Sequence, residues 1–597
     1  MPDNLASFKV YCEGGLNTNR DVLSQGERQP GSATKLTNYE PAVTGGYRKI
    51  NGFSNDYGTV TGTGNVLGVC VVNGIKNGIL ACRKPNSGNN YLHWYDYNYT
   101  VHLGTGEGSS FSVGETVTGV VSSSDNTAVS ATGEVISKSA DSIVVYFGKL
   151  PSNVFEENNV ITGGTSSATG TVTSSGSVAI EWVEVTTSGS PTMTGVTKVR
   201  FTKYNFGSPK VILTDGINPA ATYDGTTYTQ ITHADAPTDP KFSAVFQNHM
   251  FLAGDPAEDT NLYFSAPYAE TDFSAANGSG VINVGFPIVA IKTFRDALYI
   301  FGTNNIRKLV GNNISNFILE TITDDLGCLA SDSVLEIGGD LLFLSQDGIR
   351  PVSGTDKIGD VNLETVSKNI QSIFADVIFD IDLEGLNAVI IRKKTQFRYF
   401  FAAADTQGII GGFRQTPNGI NLEFGQLLGI QATCADSGYI GQDEFVLHGD
   451  TTGKVYRQEK GNDFGGDEIF SSYQTPYYYM QDPEQRKIFY NVATYMRSEG
   501  DNELFMSAVY DYEDSNILSP TDFTLTNDNA AAYYNEAAYA ADAATSGAVF
   551  DGDPSPVRRT NISGSGKSVS FRYVTNDTKA SHSIQGLVIT FGVGDRL

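Results

Sequence analysis

A single pattern recurs at near-constant spacing through the middle of the chain, and it restricts the possible folds more than any other feature. Residues 244–267 (AVFQNHMFLAGDPAEDTNLYFSAP), 290–311 (AIKTFRDALYIFGTNNIRKLVG), 333–354 (SVLEIGGDLLFLSQDGIRPVSG) and 437–458 (SGYIGQDEFVLHGDTTGKVYRQ) share one layout. Each has an apolar strand, a polar turn at Asn248, Asp296, Asp340 or Asp443, a strongly apolar strand, then a second turn and an amphipathic strand. Weaker copies surround Asn77, Lys210 and Gln396. From Lys210 onward the anchors at 210, 248, 296, 340, 396 and 443 lie 38, 48, 44, 56 and 47 residues apart. That is the period of four-stranded propeller blades. Asp224-Gly225, Asn304-Asn305 and Asp347-Gly348 stand where hairpins need positive φ. Radial closure also protects strand edges in so strand-rich a chain. Two packed β-sandwiches are the alternative, but they do not require even spacing. The expected class is all-β: a β-propeller of six or seven blades, with a small inserted β-domain and a C-terminal β-sandwich.

The 597 residues are enough for several units. Tyr (30) and Phe (33) far outnumber Trp (2), and Gly is abundant (64), a mixture that suits strands and tight turns. The net charge of −26 argues against a tight grip on a phosphate backbone, which needs Lys and Arg to displace counterions. Solubility accounts for such a charge; so does a surface that lets a polyanion pass without sticking. Five scattered cysteines form no C-x-x-C pair and six histidines no H-x-x-x-H, so no metal site, cofactor or disulfide framework is expected. The opening MPDNLASFKVY lacks a basic n-region and an apolar h-region, and no membrane-spanning run is expected.

The predicted organisation is an N-terminal arm with first strands over 1–65, a propeller over 66–103 and 179–461, an insert over 104–178, and a sandwich over 462–597. The insert is rich in Ser, Thr, Gly and Val and carries its own two-fold repeat. Phe111…Val117-Thr118-Gly119 is echoed by Phe155…Ile161-Thr162-Gly163. Removing it joins YLHWYDYNYTVHL to VAIEWVEVTTSG, two alternating strands that suit one another as partners. In the tail, no Lys or Arg stands between Arg497 and Arg558, where twelve acids do. They are Glu499, Asp501, Glu503, Asp511, Glu513, Asp514, Asp522, Asp528, Glu536, Asp542, Asp551 and Asp553. A solvated face is the plain reading. The functional one is a channel-lining or tip segment, because a closed ring would focus the same negative field from every copy into one lumen.

Motifs that carry chemistry are thin. Ser345-Gln346-Asp347-Gly348 starts like an Asp-box turn but lacks the following aromatic. The carboxylates of Asp255–Asp259 and Asp376–Asp382 do not match a calcium loop. Glycosidase chemistry needs two carboxylates at a set separation, which spacing in sequence does not reveal. No catalytic residue is assigned, and the expectation is a protein that is not an enzyme.

Gly14-Gly15-Leu16-Asn17-Thr18-Asn19-Arg20, Asn38-Tyr39-Glu40-Pro41 and Gly45-Gly46-Tyr47-Arg48-Lys49-Ile50-Asn51-Gly52 carry a resemblance. So do Val289–Gly311, Thr323–Cys328, Gly338–Ser345 and Gln474-Thr475-Pro476. Together they resemble the tail nozzle (tail tubular protein B-like) family of T7-like short-tailed bacteriophages, over most of the chain except 104–178. The resemblance implies a structural virion subunit of the podovirus tail, assembled in the host cytoplasm. It implies a homohexameric ring below the portal and adaptor proteins and in contact with tail fibres. That ring closes the channel before infection and conducts double-stranded DNA during ejection. From the residues alone, Tyr47, Arg48 and Lys49 are expected in a strand near the first blade, as structural anchors. A propeller-based glycan depolymerase and a receptor-binding tail protein are the competing functions. The first requires convergent carboxylates in one pocket; the second places function in the insert.

Overall fold

The computed structural model describes residues 5–593 except 77, 89, 123–127, 147–154, 190, 192, 354–364, 381–382, 402–406, 417–418, 481, 501, 514–520 and 527–555. The chain is mostly strand, and much of it forms four-stranded antiparallel sheets. Seven sheets follow one another along the chain. Sheet I comprises Thr63–Val71, Ile79–Lys84 and the near halves of Leu92–Leu103 and Thr169–Glu184. Sheet II is Arg200–Asn205, Pro209–Thr214, Ala221–Tyr223 and Thr227–Gln230, with Thr186–Thr187 added at its edge. Sheets III and IV run from Phe242–Phe246 to Gly280–Asn283 and from Ala290–Phe294 to Ile318–Thr323. Sheet V shows three strands, Leu335–Ile337, Asp340–Ser345 and Gly348–Pro351. Sheet VI is Asn387–Ile391, Gln396–Phe400, Gln407–Thr416 and Gly419–Leu428. Sheet VII is Cys434–Ile440, Asp443–Gly449, Val455–Gln458 and, from the far end of the chain, Phe53–Ser54.

First strands touch in cyclic order: I to II, II to III, III to IV, V to VI, VI to VII, and VII back to I. Sheet IV meets V through the turn Ser331–Ser333. The result is a propeller-like ring, closed by Phe53–Ser54 pairing with Val455–Gln458. Phe53 fixes that closure by stacking on Phe464 (5.0 Å between ring centroids, 9°) and meeting Tyr456 and His448 edge-on. Of the sequence anchors, Asn248 and Asp296 fall in the turn between a sheet's first and second strands, Lys210, Asp340, Gln396 and Asp443 stand at the start of the second strand, and Asn77 lies outside the described residues. Gln247-Asn248 and Arg295 have positive φ in these turns, as do Gly338-Gly339, Thr395 and Gly441.

Within the ring the sequence spacing matched the strands, but elsewhere the domain limits differ from those expected. Residues 1–65 are not a separate arm. Leu5–Tyr11, Tyr39–Pro41 and Tyr47–Lys49 join His582–Val593, Lys487–Ser498 and Val557–Gly566 in one sheet. The anchor strand Tyr47–Lys49 thus lies beside the C-terminal strand and not near the first sheet of the ring. Lys35–Thr37 bridges sheet VI to Ile469–Gln474, Val569–Asp577, Glu503–Tyr510 and Phe523–Thr526. These two layers enclose one core that includes Tyr473, Phe489, Val492, Leu504, Met506, Phe571, Tyr573 and Ile589, and that core runs on into sheets V and VI. The sandwich is therefore built from both ends of the chain.

The insert is not bounded at 104 and 178 either. Leu92–Leu103 and Thr169–Glu184 pair along their length, with Trp94 opposite Val183 and Tyr99 opposite Val178. Their far halves close with Thr116–Ser122, Ala128–Lys138, Ser142–Tyr146 and Val160–Gly163 into a six-stranded barrel, since Ser142–Tyr146 also pairs with Leu92–Leu103. The two-fold repeat has a structural counterpart: Phe111 and Phe155, Val117 and Ile161, and Val135 and Val172 are all fully buried in the barrel core. Gly114 and Asn158 occupy the equivalent left-handed turn positions.

Candidate functional site

Inner strands of a closed ring present every second side chain to the axis. Here they enclose an axial cavity of about 450 Å³. Its polar lining comes from separate segments: Lys198, Arg200 and Lys203 lead into or lie on sheet II, Lys292 on IV, Asp332 before V, Arg392 after the first strand of VI, and Asp436 on VII. Arg200 holds Asp332 with two bonds (2.9 and 2.8 Å), and Lys198 reaches the same carboxylate at 2.7 Å. Burial pushes the Asp332 carboxyl up, but Arg200 and Lys198 outweigh it and hold it well below the usual range. Lys203 pairs with Asp436 at 2.7 Å, and Arg392 donates to Ser437 Oγ at 2.9 Å. Five cations thus face two carboxylates in a chain of net charge −26. None of these residues was singled out from sequence, because the contributing segments, 198–203, 292, 332, 392 and 436, lie at least 40 residues apart in the chain. The available signal was charge on first strands that are otherwise apolar, as in Lys198-Val199-Arg200-Phe201-Thr202-Lys203.

A second polar constellation joins the ring to the sandwich. Glu40, almost fully buried, accepts from Arg48 (3.0 Å) and Lys394 (2.6 Å). Lys394 and the fully buried Arg398 both pair with Glu459, and Arg48 pairs with Glu499 at 2.6 Å. Burial raises the Glu459 pKa, but Arg398 and Lys394 bring it down to about 2. Nearby, Lys49 pairs with Asp577 at 2.5 Å, and Asn38 Nδ2 donates to the carbonyls of Leu428 and Phe470. Gly14 N–H donates to Glu423 and Gly15 N–H to the Tyr47 hydroxyl, both glycines having positive φ. The N-terminal motifs therefore converge on one seam between the sandwich and sheets VI and VII.

Of the twelve acids expected at a channel or tip, the structure describes five. Glu499 is held by Arg48, Glu513 by Arg572 (2.6 Å) and Glu503 by Lys579 (3.6 Å). Asp511 accepts from the Lys567 and Ser568 amides, and Asp522 from Ser507 Oγ. Asp501, Asp514, Asp528, Glu536, Asp542, Asp551 and Asp553 lie outside the described residues. Asp347 of the Asp-box-like turn pairs with Arg350 and accepts from Thr365. Asp255 is occupied by the amides of Thr238, Asp239 and Ala257, and residues 376–380 belong to a helix, Gln371–Asp380, and not to a loop. Among the described residues no group of His, Cys, Asp and Glu could hold a metal, and no helix is long and apolar enough to cross a membrane. All five cysteines are buried and free, and burial pushes the Cys12 and Cys434 thiols up to about 12.

No protein-family model and no curated protein matches the chain. Solved structures give distant likenesses at 10% identity. Hsv2p of Kluyveromyces lactis aligns with 46% of this chain and 83% of its own at a TM-score of 0.23. The AfRom2 CNH domain aligns with 46% and 89% at 0.26. An exo-β-1,3-galactanase from Phanerochaete chrysosporium aligns with 73% and 90% at 0.19. At such scores nothing about function carries over.

Proposed function

We propose that this chain is a structural ring subunit of a short-tailed phage particle, the nozzle through which DNA leaves, and that it works as a conduit and not as a catalyst. In this reading the seven sheets are a seven-bladed β-propeller, the barrel is a decoration on its first blade, and the sandwich is a second body locked to it. One observation carries the proposal. The residues behind the resemblance to tail nozzles (Gly14-Gly15, Asn38, Glu40, Arg48 and Lys49) converge on the seam that ties sandwich to ring. Removing one partner of such a buried ionic seam leaves another charge unpaired, so the joint resists bending. Rigid joints suit a subunit that transmits load within an assembly. The many described carboxylates occupied by amides, lysines and arginines fit a scaffold better than a glycan-cleaving pocket, which needs free, paired acids.

Electron microscopy and mass photometry of the purified protein at micromolar concentration test this. Closed rings of identical subunits are expected. A strictly monomeric particle at every concentration, and its absence from tails of a particle that encodes it, overturns the proposal.

A further inference from the structure

The axial cavity carries an excess of positive charge that its own carboxylates do not neutralise. Asp332 is already shared by Lys198 and Arg200, and Asp436 is taken by Lys203 and by the Val71 amide at 2.8 Å. Arg392 keeps a hydroxyl partner, with Glu444 behind it at 3.9 Å, outside the lining. Lys292 lines the same cavity from the middle of the first strand of sheet IV, exposed to it, and among the described residues it has no hydrogen bond or ion pair. Its charged neighbours are Asp436, Lys203, Glu336 and Arg392. The like charges of Lys203 and Arg392 disfavour a third cation there, and Asp436 and Glu336 oppose them. Lys198, which lines the same cavity, has its pKa lowered by burial. Like charges crowded into one cavity repel one another, and an anion placed among them removes that cost.

We propose that the axial cavity is a binding site for a compact phosphate-type dianion, with Lys292 as its unpaired ligand and Lys203 and Arg392 beside it. Seven strands from across the ring meet at this point, so a bound anion would cross-link sheets II, IV and VI by charge-assisted hydrogen bonds. The three cationic groups stand on rigid first strands or the turn leaving one, which lowers the ordering cost of binding. The site does not depend on the nozzle reading: a monomer would hold it as well as a ring.

The probes are inorganic phosphate and a 5′-phosphorylated oligothymidylate, titrated into the full chain at low ionic strength by calorimetry. Saturable binding of inorganic phosphate at one site per chain is expected, weakened at least tenfold in Lys292→Met and retained in Lys292→Arg. Lys9→Met, which removes an exposed lysine of the sandwich sheet, should leave it unchanged. Inorganic phosphate binding alone identifies a free anion as the occupant. Binding of the oligonucleotide as well, with the same Lys292→Met sensitivity, identifies a phosphate presented on a larger molecule. Circular dichroism and the unfolding midpoint of each variant guard against misfolding, and Lys292→Arg keeps the test informative if Lys292→Met fails to fold. Absence of saturation, or equal loss in Lys9→Met and Lys292→Met, overturns the proposal.

Discussion

Arg398 shows how much can rest on one side chain. It is fully buried, pairs with Glu459, lies 3.7 Å from Glu40, and donates to Gln458 at 2.8 Å. Arg398→Met keeps length and packing but leaves Glu459 to Lys394, a cation it shares with Glu40, which keeps Arg48. Breaking a buried pair from one side costs about 3–5 kcal/mol, so urea unfolding at pH 7 should show a loss of that order. A loss below about 1 kcal/mol would mean the network is solvated and the seam is not stiffened by it. The pH dependence follows from Glu459, whose folded pKa of about 2 lies below its ordinary 4.5. Its stabilisation is complete above the ordinary value and is lost as pH falls from about 5 towards 2. Arg398 is the largest opposing influence on that carboxyl, so the variant should lose stability less steeply with acid over the same window. The participants stand at 40, 48, 394, 398, 459 and 499, which is why the network was invisible in sequence. Glu499 was picked out for its place in an acid-rich run, and its actual partner lies 451 residues away.

At the level of elements, the legible features were local and the illegible ones joined distant segments. A turn residue and the apolar strand after it are close neighbours in sequence, so the anchors marked the first hairpin of sheets II to VII. Closing strand Phe53–Ser54 is two residues long, and bridging strand Lys35–Thr37 is three. Neither is long enough to show alternation, and each is defined only by partners some 400 residues on. The insert lies between these extremes. Its internal repeat and the complementarity of its flanks were readable, but the register that carries Leu92–Leu103 out of sheet I and into the barrel was not. Barrel and ring nevertheless have separate cores: Tyr99, Val101, Phe111 and Ile161 in one, Tyr95 and Trp182 with Tyr57 in the other. Replacing residues 99–178 by Asn-Gly would join Asn98 to Ala179, which already face one another across the ladder, through a two-residue hairpin turn. The shortened chain should remain folded, with its unfolding midpoint within about 4 °C of the parent, roughly 4 kcal/mol for a chain of this size. An aggregated product would show that the barrel supports the ring. A folded chain that still assembles but no longer attaches to cells would assign the barrel to receptor binding.

Across the whole molecule charge is segregated. Cations collect on the axis of the ring and are matched by carboxylates at the seam, while the chain as a whole is strongly acidic. A conduit that lets DNA slide needs negative charge free to act on the duplex, and paired carboxylates contribute little at distance. Glu499, Glu503 and Glu513 are paired with cations, and Asp511 caps a turn. Neutralising these should therefore act on stability and not on passage. Any low-friction wall must draw on the other acids of the run, among them Asp528, Glu536, Asp542, Asp551 and Asp553. Changing these five to Asn or Gln in a particle built with this subunit should slow genome release several-fold at low salt. The gap should narrow as ionic strength approaches 0.15 M, where screening lengths fall to about 8 Å. A dye that reports exposed DNA would follow the release directly. Equal rates for parent and variant at low salt would remove electrostatic repulsion from the proposed conduit mechanism.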